Sequence, residues 1–330
     1  MAMIIIIYIA IFYIIVALVI GLYQKSTNAI CLSKKRLDGK TVIVTGGTLG
    51  MGYEIAKDLA DRGARTIIAC PFVDEGETAK KNIIQDTENE RVVFKLLDLS
   101  SIASIRQFVK DIYATEERLD LLMNNAGIGT VEEFITKDGM SVIMQVNYFG
   151  QFLLTILLLP LLKKSGTNSD PARIVNTSSS FHWFGFINFA RLNDIKFWYP
   201  LFFYANSKLC LLSFSYELTK KLREPNVVVN SVDPGFVGTG IFYSVGRFFG
   251  GIIRLALFVL SKTPWEGAQT ALHVALDKKA GAVSGKYFRN CNLSVARKVS
   301  CDDKTAKQLW EESVRLVGLS DEELNQCLIY

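Results

Sequence analysis

Thr41-Val-Ile-Val-Thr45-Gly46-Gly-Thr-Leu-Gly50-Met-Gly52 decides the fold. The first half is a β-branched run, the pattern of a buried strand. Glycines follow at once, and residues 53–62 then space Ile55, Leu59 and Ala60 as a helix does. Strand, glycine turn and helix in that order form the setting a phosphate-binding loop requires. Gly46 permits the tight turn, Gly50 lets the backbone approach a pyrophosphate, and Gly52 lets helix and strand pack closely; the helix N-terminus offers free N–H groups to the phosphates. The alternative is a glycine-rich turn without a ligand, and the flanking strand and helix argue against it.

Alternation continues outward. The pattern predicts a strand at 64–70, a helix at 74–85 and a strand at 92–97 closed by Asp98-Leu99-Ser100. A helix at 101–115 follows, then a strand at 119–123 ending in Asn124-Asn125-Ala126-Gly127. Such βαβ units predict an α/β fold, a Rossmann-type doubly wound parallel sheet over residues 40–330. Each strand ends in a polar or glycine cluster, which places those clusters on the sheet edge where such folds bind ligands.

Further along, Tyr204-Ala-Asn-Ser-Lys208 puts a Tyr and a Lys on one helix face, about 6 Å apart at Cβ. A phenol ionises near roughly pH 10. A neighbouring ammonium favours the phenolate and lowers that value, and such a pair can pass a proton to or from an alcohol oxygen. On spacing alone, a packed Tyr beside a solvated Lys is the commoner outcome, so the pair needs a site around it.

Composition narrows the partners. The chain has 330 residues, 50% of them hydrophobic, and a formal charge of +5 that is spread out, which speaks against nucleic acid. Six scattered cysteines without a C-x-x-C pair, with only two histidines, speak against a zinc site or any other metal. They read as reduced thiols in a cytosolic compartment.

Residues 3–23 are apolar apart from their tyrosines, and no charge precedes Lys25. That length spans about 30 Å as a helix, the thickness of a bilayer core. A cleaved signal peptide would want a basic start, a shorter apolar core and a small-residue cleavage site; the basic start is missing. The expectation is a retained transmembrane anchor over residues 1–24. Lys25, Lys34, Lys35 and Arg36 follow it, which faces that end toward the cytosol and makes residues 25–39 a basic linker. The apolar stretch at 152–162 is short and broken at Pro160, so a buried helix is expected there.

Together these motifs resemble the short-chain dehydrogenase/reductase family: Thr45-Gly46-x-x-x-Gly50-x-Gly52, Asp98, Asn124-Asn125-Ala126-Gly127 and Tyr204-x-x-x-Lys208, in the family's order, over residues 40 to about 295. The resemblance implies that Tyr204 is the general acid/base and that Lys208 holds the nicotinamide ribose. It implies a helix Asn, here Asn147, that orders a water linked to Lys208. It also implies a serine on the substrate oxygen at the end of the fifth strand. Ser178, Ser179 and Ser180 all stand there, and the family's alignment points to Ser179. Strand-end capping for Ser179 and a backbone-bonded amide for Asn147 are the structural alternatives. Implied cofactor contacts are Gly46, Leu49, Gly50, Met51 and Gly52; Asp98 near the adenine; Asn125, Ala126 and Gly127; and Pro234, Gly235, Val237 and Thr239 beside the nicotinamide.

Within the family the chain is most similar to the membrane-bound retinol dehydrogenase branch. The anchor, Asn147-Tyr-Phe-Gly-Gln-Phe-Leu-Leu154, Lys262-Thr-Pro-Trp-Glu-Gly-Ala-Gln-Thr270 and the tail around Leu309-Trp310 carry that similarity. It implies interconversion of a lipophilic alcohol with its aldehyde or ketone, most simply retinol and retinaldehyde. Terpenoid alcohols such as farnesol, or hydroxysteroids, are alternatives, and a non-catalytic cofactor-binding membrane protein is the alternative from another class. An endoplasmic reticulum membrane with the domain facing the cytosol is implied, and a homo-oligomer is compatible. The cofactor is NADP or NAD, with NADP the branch's usual choice. One departure bears on that choice. The branch usually ends its second strand Ala-Cys-Arg, with the Arg on the 2′-phosphate; here Ala69-Cys70-Pro71-Phe72 stands instead, and residue 49 is Leu. No Asp or Glu sits at the strand end to hold a free 2′-hydroxyl either.

Between Ser179 and Tyr204 lie Phe181, Trp183, Phe184, Phe186, Phe189, Phe197, Trp198, Tyr199, Phe202 and Phe203. These are expected to form an apolar wall of the substrate pocket, with His182 a satisfied loop histidine. Residues 241–260 mix apolar side chains with Arg247 and Arg254, the composition of an amphipathic lid at a membrane surface.

Overall fold

Glycine and β-branched punctuation sets the element boundaries. β1 (Thr41–Thr45) leads into α1 (Gly50–Asp61); β2 (Arg65–Cys70), α2 (Val73–Thr87), β3 (Val92–Leu96), α3 (Ile102–Thr115) and β4 (Leu121–Asn124) follow within a few residues of the predicted bounds. The second half adds α4 (Val142–Ser165), β5 (Ala172–Thr177), α5 (Pro200–Lys221), β6 (Val227–Asp233), α6 (Pro264–Leu276), β7 (Lys286–Arg289), β8 (Asn292–Ser294), α7 (Asp303–Leu316) and α8 (Asp321–Ile329). This computed structural model describes residues 25–129, 132–197, 199–222, 224–238 and 261–329, with scattered positions between 8 and 23. Thr239, Trp198, the segment 241–260 and most of the expected anchor lie outside the described residues.

The strands hydrogen-bond in the order β3-β2-β1-β4-β5-β6-β7-β8. All neighbours are parallel except the β7–β8 hairpin. This is the doubly wound sheet, and its order reverses between β1 and β4, the crevice where such sheets take ligands. Both faces are covered, which is why the central strands read as continuous apolar runs rather than alternating ones. One face packs Ile55, Leu59, Ala79, Ala271 and Ala275 of α1, α2 and α6. The other packs α3, α4 and α5 with the C-terminal α7, where Trp310 stacks on Phe214 with ring centroids 6.1 Å apart.

Helix α4 is long and apolar enough to cross a membrane, but 94% of its most apolar window is buried in the fold. It is a core helix, as expected for 152–162. Its second turn is a π-helix, Gln145–Phe149, a local widening that is frequent at functional sites. The basic segment after residue 24 is tied to the domain. Ala29 N donates to Asn290 Oδ1 at 2.8 Å, Cys31 N to Gln269 Oε1 at 3.0 Å, and Arg62 Nη1 to the Ser33 carbonyl at 2.8 Å. Leu37 is buried.

Candidate active site

A cavity of about 1210 Å³ opens along the C-terminal edge of the sheet. Its floor begins at the β1–α1 turn. Gly46 takes φ +64°, a left-handed conformation that other residues adopt at a cost. At Gly52 an added Cβ would overlap the Gly46 carbonyl oxygen and Asn125 Nδ2. The turn is fastened from β4: Asn125 N and Ala126 N both donate to Thr45 Oγ1 at 3.0 Å, and Asn125 Nδ2 donates to the Thr45 carbonyl at 3.1 Å. Gly46, Leu49, Gly50, Met51 and Gly52 line the cavity, as do Asn125, Ala126 and Gly127. Asp98 lines it too; its Oδ1 accepts from Ser100 N at 2.8 Å and Ser100 Oγ at 2.6 Å. Asn125 Oδ1 is buried and has no partner among the described residues. A glycine floor without side chains and an unused buried acceptor suit a dinucleotide, so the residues present fit a nicotinamide cofactor.

The reacting groups converge from α5 and the end of β5. Tyr204 and Lys208 are both buried on α5, and Lys208 Nζ stands 5.6 Å from the Tyr204 ring centroid. Lys208 Nζ donates to the Thr177 carbonyl at 2.9 Å. The three serines separate cleanly. Ser178 Oγ donates to the Lys208 carbonyl at 3.0 Å, Ser180 Oγ bonds the Asp233 carboxylate, and Ser179 Oγ accepts from Phe181 N at 3.3 Å, capping the 3-10 turn, while lining the cavity with Tyr204. Phe181 closes this end, its ring edge-on to Tyr204 at 5.8 Å.

Burial displaces both titratable partners. It pushes the Tyr204 phenol up to about 12 against the opposing effect of the Ser179 hydroxyl. It pushes the Lys208 ammonium down to about 8. In this state burial outweighs any pull of Lys208 on the Tyr204 phenol. The cause is geometric: the amine is turned to a carbonyl and lies over the ring, while desolvation penalises the charged form of each group.

Asn147 sits behind the cavity wall in the π-turn. Its Nδ2 donates to the Ile128 carbonyl at 2.9 Å and to Ser207 Oγ at 3.2 Å, and its Oδ1 accepts from Ile128 N at 2.8 Å. A Cβ added at Gly127 would lie 3.3 Å from both Asn147 Oδ1 and Lys208 Nζ, so the two groups flank one point. Pro234, Gly235 and Val237, expected beside the nicotinamide, line the same cavity.

Several site residues were not assigned a role from the sequence. Asp233 is 1% exposed and ties three segments together. It accepts from Gly235 N at 2.9 Å and from the Tyr287 hydroxyl at 2.9 Å, as well as from Ser180. Arg289 Nε approaches it at 3.8 Å and lines the cavity. An acidic residue directly before Pro234-Gly235 was the one available signal. His182 is satisfied as expected: its Nδ1 lies 2.7 Å from the Ser179 carbonyl and its Nε2 accepts from Arg297 N at 3.3 Å. The aromatic wall is smaller than expected. Among the described aromatics of that stretch only Phe181 and Tyr204 line the cavity, whereas Trp183, Phe184, Phe186 and Tyr199 are exposed. A 3-10 turn at Ser180–Phe184 rotates successive side chains away from one another.

Comparison with known proteins agrees with this geometry. The family profile described as short chain dehydrogenase matches residues 40–247. Retinol dehydrogenase 11 of Mus musculus is 41% identical over 295 residues, covering 89% of this chain and 91% of that protein. Retinol dehydrogenase 12 of Bos taurus is 41% identical over 293 residues, covering 88% and 90%. Among solved structures, an uncharacterized protein of Mycobacterium paratuberculosis superimposes with a TM-score of 0.67 at 28% identity, covering 86% of this chain and 95% of that one. The Pseudomonas aeruginosa RhlG/NADP active-site complex gives 0.61 at 26% identity, covering 77% and 95%. Sequence and fold thus lead to one assignment, and the chain belongs to the short chain dehydrogenase family, as an oxidoreductase.

Proposed function

We propose that this chain is a membrane-anchored oxidoreductase that interconverts a lipophilic alcohol of the retinol class with its aldehyde, using a nicotinamide dinucleotide. The observation that carries the reading is the convergence of Ser179, Tyr204 and buried Lys208 on one glycine-floored cavity. The named relatives being retinol dehydrogenases supports the substrate class.

In the reductive direction Ser179 holds the carbonyl oxygen, and Tyr204, protonated at neutral pH, gives it a proton. Lys208 favours the phenolate left behind. Asn147 Oδ1, flanking the same point as Lys208 Nζ, is placed to hold a water that brings protons in. The bound nicotinamide supplies or accepts the hydride. Asn125 and the Gly46–Gly52 turn would hold the pyrophosphate half, and Pro234, Gly235 and Val237 the nicotinamide; Thr239 belongs to the same segment.

Membrane attachment rests on residues 3–23. The described positions Tyr8, Phe12, Ile15, Val19, Leu22 and Tyr23 are helical and exposed, apolar surface that a bilayer would cover. Val19 and Tyr23 share a cleft of about 490 Å³ with Gly235, Lys262, Arg289 and Leu293, so the end of the anchor adjoins the reactive end of the site. Exposed Trp183, Phe184 and Phe186 add apolar surface suited to a substrate arriving from lipid. The basic residues after the anchor favour a cytosolic face for the domain, and the resemblance to the membrane-bound branch supports an endoplasmic reticulum location. Purified enzyme assayed against retinaldehyde, farnesal and ketosteroids tests the reading. Retinaldehyde reduction with the highest kcat/KM supports it, and turnover of water-soluble aldehydes alone contradicts it.

A further inference from the structure

The cavity is divided by charge. Among the described residues that line it, the only two cations are Lys208 and Arg289, and both stand at the nicotinamide end, beside Tyr204 and Asp233. The opposite end, where the β1–α1 turn meets the end of β2, is lined by Thr48, Leu49, Cys70, Pro71, Phe72 and Glu75. Leu49 and Phe72 are apolar and exposed, and Pro71 carries no donor. Glu75 lies five positions past the strand end and is brought to the cavity by the turn into α2.

That end is hostile to a phosphate. A 2′-phosphate is recognised through Arg or Lys, most effectively by an Arg fork. Here its neighbour would be a carboxylate. Glu75 and Asp74 occupy the first turn of α2, so the positive end of that helix is already offset by acidic side chains rather than left open to a ligand. A ribose hydroxyl is the opposite case, a donor that a carboxylate accepts in a charge-assisted bond.

We infer that this chain selects NAD(H) over NADP(H), with Glu75 as the residue that reads the free 2′-hydroxyl of the adenosine ribose. The inference rests on the oxidoreductase reading above and departs from the usual NADP choice of the branch it resembles.

Direct binding separates the two. Full-length protein in detergent micelles is titrated with NADH and with NADPH, following the fluorescence of the reduced nicotinamide. NADH binds with a Kd at least about tenfold lower than NADPH, the ratio that about 1.4 kcal/mol of discrimination yields. Glu75→Gln, an exposed substitution at the helix start, reduces that ratio by about tenfold, and Pro71→Arg with Glu75→Lys inverts it. Equal or tighter binding of NADPH by the unaltered protein, or an unchanged ratio in Glu75→Gln, overturns the inference and leaves the oxidoreductase reading standing. Binding of neither dinucleotide overturns both.

Discussion

Lys208 Nζ lies over the ring of Tyr204, 5.6 Å from its centroid, and donates to the carbonyl of Thr177 rather than to the phenol. The pair is thereby held dry, with the phenol protonated at neutral pH and the ammonium brought down to about 8. In the proposed mechanism carbonyl reduction draws its proton from this arrangement, and alcohol oxidation returns one to it.

The pH dependence follows. Lys208 gives up its proton at about 8, so kcat for carbonyl reduction is level at neutral pH and falls as pH rises through that value. Stability moves the other way. The unfolded lysine holds its proton up to its ordinary 10.5, so between about 8 and 10.5 the unfolded chain binds more protons and this group's contribution rises with pH. Tyr204 reverses the trend from 10.0 to about 12, where the folded phenol keeps a proton that the unfolded one has lost. A pH–rate profile with a parallel denaturation series checks both signs.

Lys208→Met separates chemistry from packing. Activity drops by about 100-fold or more. The melting temperature at neutral pH does not fall in proportion, because a buried ammonium has been exchanged for an apolar side chain of similar length. A loss of activity that merely tracks a loss of fold contradicts the role given to this lysine.

Asp233 is predicted to position rather than react. Asp233→Ala leaves the Tyr287 hydroxyl, Gly235 N and Ser180 Oγ without their shared acceptor, a cost of about 3 kcal/mol in urea unfolding. The Gly235–Val237 segment loosens, so KM for the dinucleotide rises more than KM for the carbonyl substrate. Tyr287→Phe shows the same pattern at about 1 kcal/mol.

The sheet was legible because its signals are local. β-branched runs, glycine clusters and helical spacing each lie within about ten residues, and β1 with its turn formed where residues 41–52 pointed. Ser179, Tyr204 and Lys208 converge for the same reason, each fixed at the end or on the face of a readable element. What was not legible depends on distant partners. Asp233 meets Ser180 and Tyr287 across more than fifty positions of chain, and Glu75 reaches the cavity only through the turn after Cys70. The π-turn that carries Asn147 has no periodic signature, and the aromatic stretch after Ser179 misled because composition does not tell which side of a 3-10 turn faces inward.

The floor of the site predicts its own sensitivity. Gly52→Ala forces a Cβ into the Gly46 carbonyl and the Asn125 amide, and dinucleotide affinity falls by about tenfold or more. Gly39→Ala is the control: its φ is +74° but its surroundings are open, so it costs about 1 kcal/mol of stability and leaves binding unchanged. Fluorescence titration of the two variants distinguishes the outcomes.

Removing residues 1–24 moves the protein from the alkaline-washed membrane pellet to the supernatant while turnover of a short-chain aldehyde persists. Retention of the shortened protein in the washed pellet contradicts the anchor.

The most direct test is Tyr204→Phe, assayed for retinaldehyde reduction alongside dinucleotide binding. The substitution removes one oxygen from a buried ring, so fold and cofactor affinity are retained while kcat falls by about 100-fold or more. Reduction that continues within a few-fold of the unaltered enzyme contradicts the assignment of Tyr204 as the proton donor.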